Sequence, residues 1–235
     1  MNILYKSVVI FDEIISKAVR IVCVLLILIA TYALFDSYKL YYNAQNRGVL
    51  KYKPKLNDVT ASTEPIDIPN SVAWLTIEDT PIDYPIMQGR NNSEYLNKNP
   101  LGEFSLSGSI YMDSRNNSDF SDPYSLIYGH HMEHDAMFGV LDSYEDQEFF
   151  NTHRDGILII SGSNSRKIRI FAVMKCLATD EHIFSVDDGI DHISYIKANA
   201  DIFEEQDNYG HILALSTCSD TVSEDRLAVF AVIFP

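Results

Sequence analysis

Two neighbouring apolar runs decide the fold, and they read His211-Ile212-Leu213-Ala214-Leu215-Ser216-Thr217-Cys218 and Arg226-Leu227-Ala228-Val229-Phe230-Ala231-Val232-Ile233-Phe234. His211 to Leu215 and Leu227 to Phe234 have the pattern of buried strands, and the polar residues 219–225 between them suit a hairpin loop. Pairing of these strands would bring Cys218 and Arg226 together at one end of a sheet. A cationic neighbour favours the thiolate form of a cysteine, and a guanidinium can stabilise the oxyanion of an acyl-transfer intermediate.

A second polar group lies upstream, in Tyr128-Gly129-His130-His131. The residues Tyr124 to Tyr128 predict a short strand, so His130 is expected just past a strand end, where functional residues often lie. A cysteine can act as a nucleophile, a histidine as a general acid and base, and an arginine as an oxyanion donor, so the three groups together suit covalent acyl transfer.

These motifs resemble those of the sortases, which are cysteine transpeptidases that join secreted proteins to the cell wall of Gram-positive bacteria. The family carries a Thr-Leu-x-Thr-Cys motif, an upstream Gly-His and an arginine shortly after the cysteine. Ala214 replaces the first threonine of that motif here. Further stretches are similar to class B members of the family. The matching residues are Leu215, Thr217, Cys218, Gly129, His130 and Arg226, with the class B-like stretches at 87–96, 108–113 and 190–203.

The resemblance implies a mostly β fold, a closed sortase-type barrel of about eight strands with short helices. It implies Cys218 as nucleophile, His130 as general acid and base, and Arg226 as the group that binds the substrate carbonyl or the oxyanion. The expected reaction cleaves a C-terminal sorting signal (NPxTN-like or xPxTG-like) after threonine and transfers the acyl group to a cell-wall peptide amine. No metal or organic cofactor is required. The residues that fall where the family contacts its substrate are Asn92, Leu96, Tyr128 and Ser216.

The chain of 235 residues carries 18 basic and 33 acidic residues, a net charge of −15. Such an acidic balance argues against nucleic acid as a partner. The partners that the resemblance implies are surface proteins with a sorting signal and a cell-wall precursor, and the N-terminal apolar run adds the membrane.

The N-terminal apolar run, residues 21–35, predicts a single transmembrane helix. Lys6, Lys17 and Arg20 precede it, which favours a cytoplasmic N-terminus and an extracellular catalytic domain. A cleaved signal peptide is the alternative, with Thr31-Tyr32-Ala33 as a poor cleavage site. The predicted divisions are a tail (1–17), an anchor (18–36), an N-terminal helix with a spacer (37–66) and a catalytic domain (67–235).

Short β-type runs dominate the predicted catalytic domain, with helical patterns in two places. The predicted strands are 73–77, 85–87, 109–112, 124–128, 156–161, 168–176, 211–215 and 227–234, and the predicted helices are 138–150 and 191–205.

Other polar groups suggest weaker alternatives. His130, His131 and His134 lie close in sequence, but they lack the helical spacing of a zinc-protease motif, so no metal site is predicted. The acids Asp113, Asp119, Asp122 and Asp220 lack calcium-loop spacing and are expected to be solvated. Cys176 is expected to be a small buried apolar residue, although a disulfide with Cys218 is possible in an extracellular domain.

Two functions compete with transpeptidation. A membrane-anchored cysteine hydrolase would use the same residues and release its product to water. A wall-binding module without catalysis would keep the barrel and lose the reaction, and the presence of all three of Cys218, His130 and Arg226 argues against it.

Overall fold

A computed structural model describes residues 3–45, 48–55, 64–187, 189–218 and 225–234, and it describes Cys218 by its backbone. The predicted hairpin loop at 219–225, with Asp220 inside it, falls outside the described residues except for Asp225. Within the described ranges the strands are β1 (Ser71–Ile77), β2 (Asp83–Gln88), β3 (Ile110–Met112), β4 (Tyr124–His130), β5 (Asp155–Ile160), β6 (Ser165–Leu177), β7 (Ile202–Phe203), β8 (Ile212–Cys218) and β9 (Asp225–Ile233).

The strands form one sheet that closes on itself. Their order is β5-β1-β2-β3-β4-β8-β9-β6-β7, and β5 also pairs with β6, so eight strands complete the barrel and β7 extends the edge of β6. Strand β2 pairs with β3 and β4 pairs with β8 in parallel, whereas the other pairs are antiparallel. The expected closed barrel of about eight strands is confirmed.

Side chains alternate between the two faces of the barrel wall, as the pleat of a strand requires. Ile127, Leu215 and Val229 point into the barrel and belong to its main apolar core. Their neighbours point outward into a second apolar cluster that packs against residues of two helices, α3 (Glu181–Phe184) and α4 (His192–Asn199). The outward set includes Tyr124, Leu126, Ala214, Ala228 and Phe230.

The two predicted helices are shorter than their sequence patterns. The segment predicted as a helix at 138–150 contains a 3-10 helix, Gly139–Glu145, and then the helix α2, Gln147–Thr152. Asp146 separates them because it is extended and its carboxylate caps α2, accepting from the backbone N–H groups of Glu148 and Phe149. The helix predicted at 191–205 ends at Asn199, and β7 follows it.

One long helix, α1 (Ile3–Ala44), begins the described chain. Residues 1–40 and 41–235 form two compact units. Among the described residues, one helical stretch, Val9–Tyr42, is long and apolar enough to cross a membrane, and its most apolar window is fully exposed. The predicted transmembrane helix therefore has a counterpart of sufficient length.

Candidate active site

His130 and Cys218 end two neighbouring strands of the barrel. Strands β4 and β8 run parallel, and their register pairs His130 with Cys218. Paired strands lie about 4.8 Å apart, so the two backbones are within side-chain reach of one another. The fold thus brings together residues that are far apart in sequence and places both at the same edge of the sheet.

Arg226 lies on the next strand of the same edge. Ser216 of β8 pairs with Ala228 of β9, and two residues further along each strand lie Cys218 and Arg226. Arg226 is half-buried, and its Nη1 donates to the backbone carbonyl of Asp225 at 3.2 Å. Three adjacent strands, β4, β8 and β9, therefore carry His130, Cys218 and Arg226 in that order.

The site lies on the outward face of the barrel wall. Tyr128 packs against the outer apolar cluster, and His130 is the next residue of the same alternating set on β4. On β9, Arg226 likewise follows the outward set that contains Ala228. The site thus adjoins the side on which α3 and α4 pack.

The ring of His130 is held by a backbone carbonyl. Its Nε2 lies 2.7 Å from the carbonyl oxygen of Leu96, which can only accept a hydrogen bond, so Nε2 carries the proton. In the neutral ring Nδ1 then keeps its lone pair. Gly108, at φ +58°, lies against the same edge of the ring, because a Cβ there would lie 2.5 Å from the Leu96 oxygen and 3.0 Å from Cδ2 of His130.

A fully buried acid, Asp113, lies behind this site. Its Oδ2 accepts from Asn92 Nδ2 at 2.7 Å and from the Tyr128 hydroxyl at 3.1 Å. Its two oxygens also accept from Arg115, from Nε at 2.9 Å, Nη2 at 2.8 Å and the backbone N–H at 2.9 Å. The expectation of a solvated acid is wrong at Asp113, because three segments that are separate in sequence supply enough donors to bury it.

The charge of Asp113 is favoured by its surroundings. Burial alone would raise the pKa of this carboxyl, but the hydrogen bonds from Arg115 and Asn92 outweigh it and hold the pKa below its ordinary value. Asn92 is fully engaged, since its Oδ1 also accepts from the backbone N–H of Ser114 at 2.7 Å. Asp113 therefore joins the loop before Leu96 to the strand that ends at His130.

Arg115 extends this network towards the helical cover. Its Nη2 also donates to the backbone carbonyl of Phe184 in α3 at 3.0 Å. A cleft of about 580 Å³ opens beside it, lined on its other side by the segment that follows β6. The lining residues are Arg115, Ala178, Thr179, Asp180, Glu181, Phe184, Ser185, Asp187 and Ile190.

The other residues predicted to contact the substrate are buried or half-buried. Ser216 is fully buried, and its hydroxyl donates to the Thr217 carbonyl at 3.3 Å. Leu96 and Tyr128 are half-buried and both pack against an apolar cluster around Trp74. All of them flank the edge that carries His130 and Cys218.

Cys176 lies opposite Arg226 on β6. Burial raises the pKa of the Cys176 thiol to about 12, with Asp180 adding to the rise and Arg226 opposing it. Strand β9 lies between β6 and β8, so Cys176 and Cys218 are two strand spacings apart, roughly 9–10 Å. That separation exceeds the Cα distance that a disulfide tolerates.

The two histidines that lie near His130 in the sequence contact other residues. His131 Nε2 lies 2.7 Å from an oxygen of Asp142, and the ring of His134 packs on that of Tyr41, with 5.4 Å between centroids. Among the described residues, no group of three His, Cys, Asp or Glu side chains is placed to hold a metal ion.

Comparison with known proteins identifies the family. The family model for the sortase domain matches residues 75–233, which is more than half of the chain. This chain belongs to the sortase family. Sortases are cysteine transpeptidases, and the order of His130, Cys218 and Arg226 along this chain is that of the family's motif.

The relatives are class B sortases. Sortase B of Staphylococcus aureus is 31% identical over 177 residues, 69% of each chain. Sortase B of Listeria monocytogenes is 43% identical over 102 residues, a match that spans 43% of this chain and only 41% of the Listeria protein.

Solved structures agree with this placement. Spy0129, a Streptococcus pyogenes class B sortase involved in pilus biogenesis, is 40% identical with a TM-score of 0.65, over 70% of this chain and 92% of that one. A Staphylococcus aureus sortase B–substrate complex is 29% identical with a TM-score of 0.63, over 70% of this chain and 80% of that one.

Proposed function

We propose that this chain is a class B sortase that cleaves a C-terminal sorting signal after threonine and transfers the acyl group to a peptide amine of the cell wall. The observation that carries the proposal is the pairing of His130 with Cys218 at the ends of two parallel strands, with Arg226 on the adjacent strand. Membership of the sortase family supports it.

Cys218 is the proposed nucleophile. The thiol proton of Cys218 passes to Nδ1 of His130, and the resulting thiolate attacks the threonine carbonyl carbon, whose π electrons move to oxygen to give a tetrahedral intermediate. Collapse of the intermediate breaks the peptide C–N bond, and the leaving amine takes a proton from His130. The product is a thioester between the threonine carbonyl and Cys218.

His130 exchanges the proton through Nδ1. Because Nε2 donates to the Leu96 carbonyl in this structure, Nδ1 is the nitrogen that gives a proton to the leaving amine and takes one from the incoming amine. That amine attacks the thioester, forms the new amide bond and releases the Cys218 sulfur. General acid–base work of this kind typically contributes about 10²–10⁴ in rate.

Arg226 is proposed to bind the threonine carbonyl oxygen and the oxyanion that forms from it. A guanidinium offers two parallel N–H donors, which an ammonium group does not. Loss of a single oxyanion donor typically lowers the rate by about 10²–10³. Replacement with lysine is therefore expected to restore little of the activity.

The substrate peptide is proposed to lie along the outward face beside Asn92, Leu96, Tyr128 and Ser216. Leu96 and Tyr128 are half-buried and offer apolar contact. Ser216 is fully buried and Asn92 is already hydrogen-bonded to Asp113 and Ser114, so these two support the site from within the protein. The signal would be NPxTN-like or xPxTG-like, presented by surface proteins. The acceptor would be the amine of a cell-wall precursor.

Residues 18–36 are proposed to anchor the enzyme in the cell membrane, with residues 37–66 leading to the catalytic domain at 67–235. Five basic residues lie between Lys39 and Lys55, more than the three that precede the apolar run. This excess opposes the orientation expected from Lys6, Lys17 and Arg20 alone, so the proposed outward orientation rests on where the wall substrates lie.

The test uses the full chain in detergent with fluorogenic sorting-signal peptides of both types, with and without triglycine. Cys218→Ala, His130→Ala and Arg226→Ala should each abolish cleavage, whereas the neighbouring His131→Gln serves as the matched control and should remain active. A ligated triglycine product supports a transferase, and hydrolysis alone would favour the cysteine hydrolase. Substantial cleavage by Cys218→Ala would overturn the covalent route.

A further inference from the structure

An ordered loop beside the active site presents three apolar side chains to solvent. In the loop 97–107, hereafter the apolar loop, Leu101 is 44% exposed, Phe104 76% and Leu106 62%. The loop is internally fixed, because Asn99 Oδ1 accepts from the backbone N–H groups of Leu101 and Glu103 at 3.0 and 2.9 Å. Apolar side chains held outward by an ordered loop mark an interaction surface.

A run of positive charge precedes the barrel in the chain. Residues 37–57 contain five basic and no acidic residues, in a chain with a net charge of −15. Three of them form the basic segment, Lys51, Lys53 and Lys55, of which Lys51 and Lys55 are exposed and Lys53 pairs with Asp83 at 2.7 Å. This local excess suits an anionic surface.

The basic segment and the apolar loop both adjoin residues of one apolar cluster. Val49 and Tyr52, which adjoin the basic segment, pack in the same apolar cluster as Tyr95 and Leu96. Leu96 immediately precedes the apolar loop, and its carbonyl holds the His130 ring. The basic segment and the apolar loop are thus attached to the same part of the barrel as the catalytic histidine.

The apolar run ends shortly before the part of the chain that contacts the barrel. Ala44, whose carbonyl accepts from the Tyr84 hydroxyl at 3.0 Å, lies nine positions after Phe35, the end of the apolar run. Even fully extended, nine positions span only about 30 Å. With the apolar run in a bilayer, as in the proposed function, Ala44 lies within that distance of the end of the run.

We propose that the apolar loop and the basic segment together bind an anionic phospholipid bilayer. Phe104, Leu101 and Leu106 enter the headgroup boundary, and Lys51 and Lys55 contact the lipid phosphates. Membrane association of this kind requires apolar burial and basic charge together. The bound surface holds the edge that carries His130 and Cys218 next to the membrane.

The test places the full chain in lipid nanodiscs and uses Phe104→Trp as a reporter. The single native tryptophan, Trp74, is fully buried and provides a constant background. In discs of brominated phosphatidylglycerol the new indole should lose roughly half of its emission, because the headgroup boundary brings it near the bromine atoms. In discs of brominated phosphatidylcholine the loss should be smaller.

Two variants separate the proposed contributions. Lys51→Gln with Lys55→Gln should reduce the quenching in phosphatidylglycerol to the level seen in phosphatidylcholine. Asn151→Trp, exposed on α2 and outside the proposed surface, is the matched control and should keep its emission. Equal quenching at residues 104 and 151 would overturn the proposal, because it would show contact without a defined surface.

Binding of either of two other partners to this surface would overturn the proposal. Unquenched emission in discs, with a blue shift only when a polyphosphate wall polymer is added, would assign the surface to the wall. Emission that depends on protein concentration and not on lipid would assign it to a second copy. Peptide cleavage measured in the same discs tests the proposed function separately. The variant with both Lys51→Gln and Lys55→Gln should not change the cleavage rate.

Discussion

Removal of the Asp113 carboxylate should weaken both the fold and the site. In Asp113→Ala, Asn92 and Tyr128 lose a buried acceptor, at about 1–3 kcal/mol for each donor. Arg115 also loses its partner, but its side chain is half exposed, so water offsets much of that loss. The sum of the two losses is about 2–6 kcal/mol. Asp113→Asn keeps the shape and one acceptor oxygen and should lose less.

Urea unfolding of the full chain in detergent, followed by near-UV circular dichroism, measures these losses. A double-mutant cycle of Asp113→Asn with Arg115→Gln should give a coupling energy within about 0.5–3 kcal/mol. A change of less than about 0.5 kcal/mol in Asp113→Ala, typical of a surface residue, would refute the reasoning.

The same variant tests the charge of Asp113 through pH. The folded state holds the pKa of this carboxyl below its ordinary value of about 3.9, so its contribution to stability is present above about pH 4. As the pH falls through the folded pKa, the folded state takes up the proton and the contribution is lost. The difference in unfolding free energy between the wild type and Asp113→Asn should therefore shrink below pH 4, and a constant difference would contradict the assignment.

Three further changes test other parts of the structure. Gly139→Ala would put a Cβ 1.9 Å from the backbone oxygen of Met132, so it should cost about 3 kcal/mol or more in urea unfolding; wild-type stability would show that the loop can move. The raised pKa of Cys176, about 12, predicts that methanethiosulfonate at pH 7 labels Cys218 before Cys176, and mass spectrometry showing the reverse order would be evidence against an activated Cys218. His131→Gln removes only an exposed pairing and should change unfolding by less than about 1 kcal/mol, with peptide turnover close to wild type.

The strands can be predicted from the sequence because the apolar pattern of a strand is local. All eight predicted strands have counterparts, and the apolar runs ending at Cys218 and starting near Arg226 were placed within a few residues. The strand β4 is also predicted, but its parallel pairing with β8 is not. Pairing between β4 and β8 depends on closure of the whole barrel, which local periodicity does not record.

The buried acid could not be predicted for a related reason. Asp113 looks like an ordinary loop acid until Asn92, Arg115 and Tyr128 are brought to it by separate segments.

At the N-terminus the structure has one longer helix where the sequence pattern indicates two. The sequence suggested a separate helix after the apolar run, but α1 continues to Ala44 because the first glycine after the run is Gly48.

The parallel pairing of β4 with β8 also determines at which stage of folding His130 and Cys218 come together. Its two strand-end residues, His130 and Cys218, come from segments 88 positions apart, and no short hairpin can join them. Contacts this distant in sequence form late in folding, because loop closure must come first. In a complete but unfolded chain Cys218 therefore lacks His130 as a neighbour, and the two residues come together only when the barrel closes.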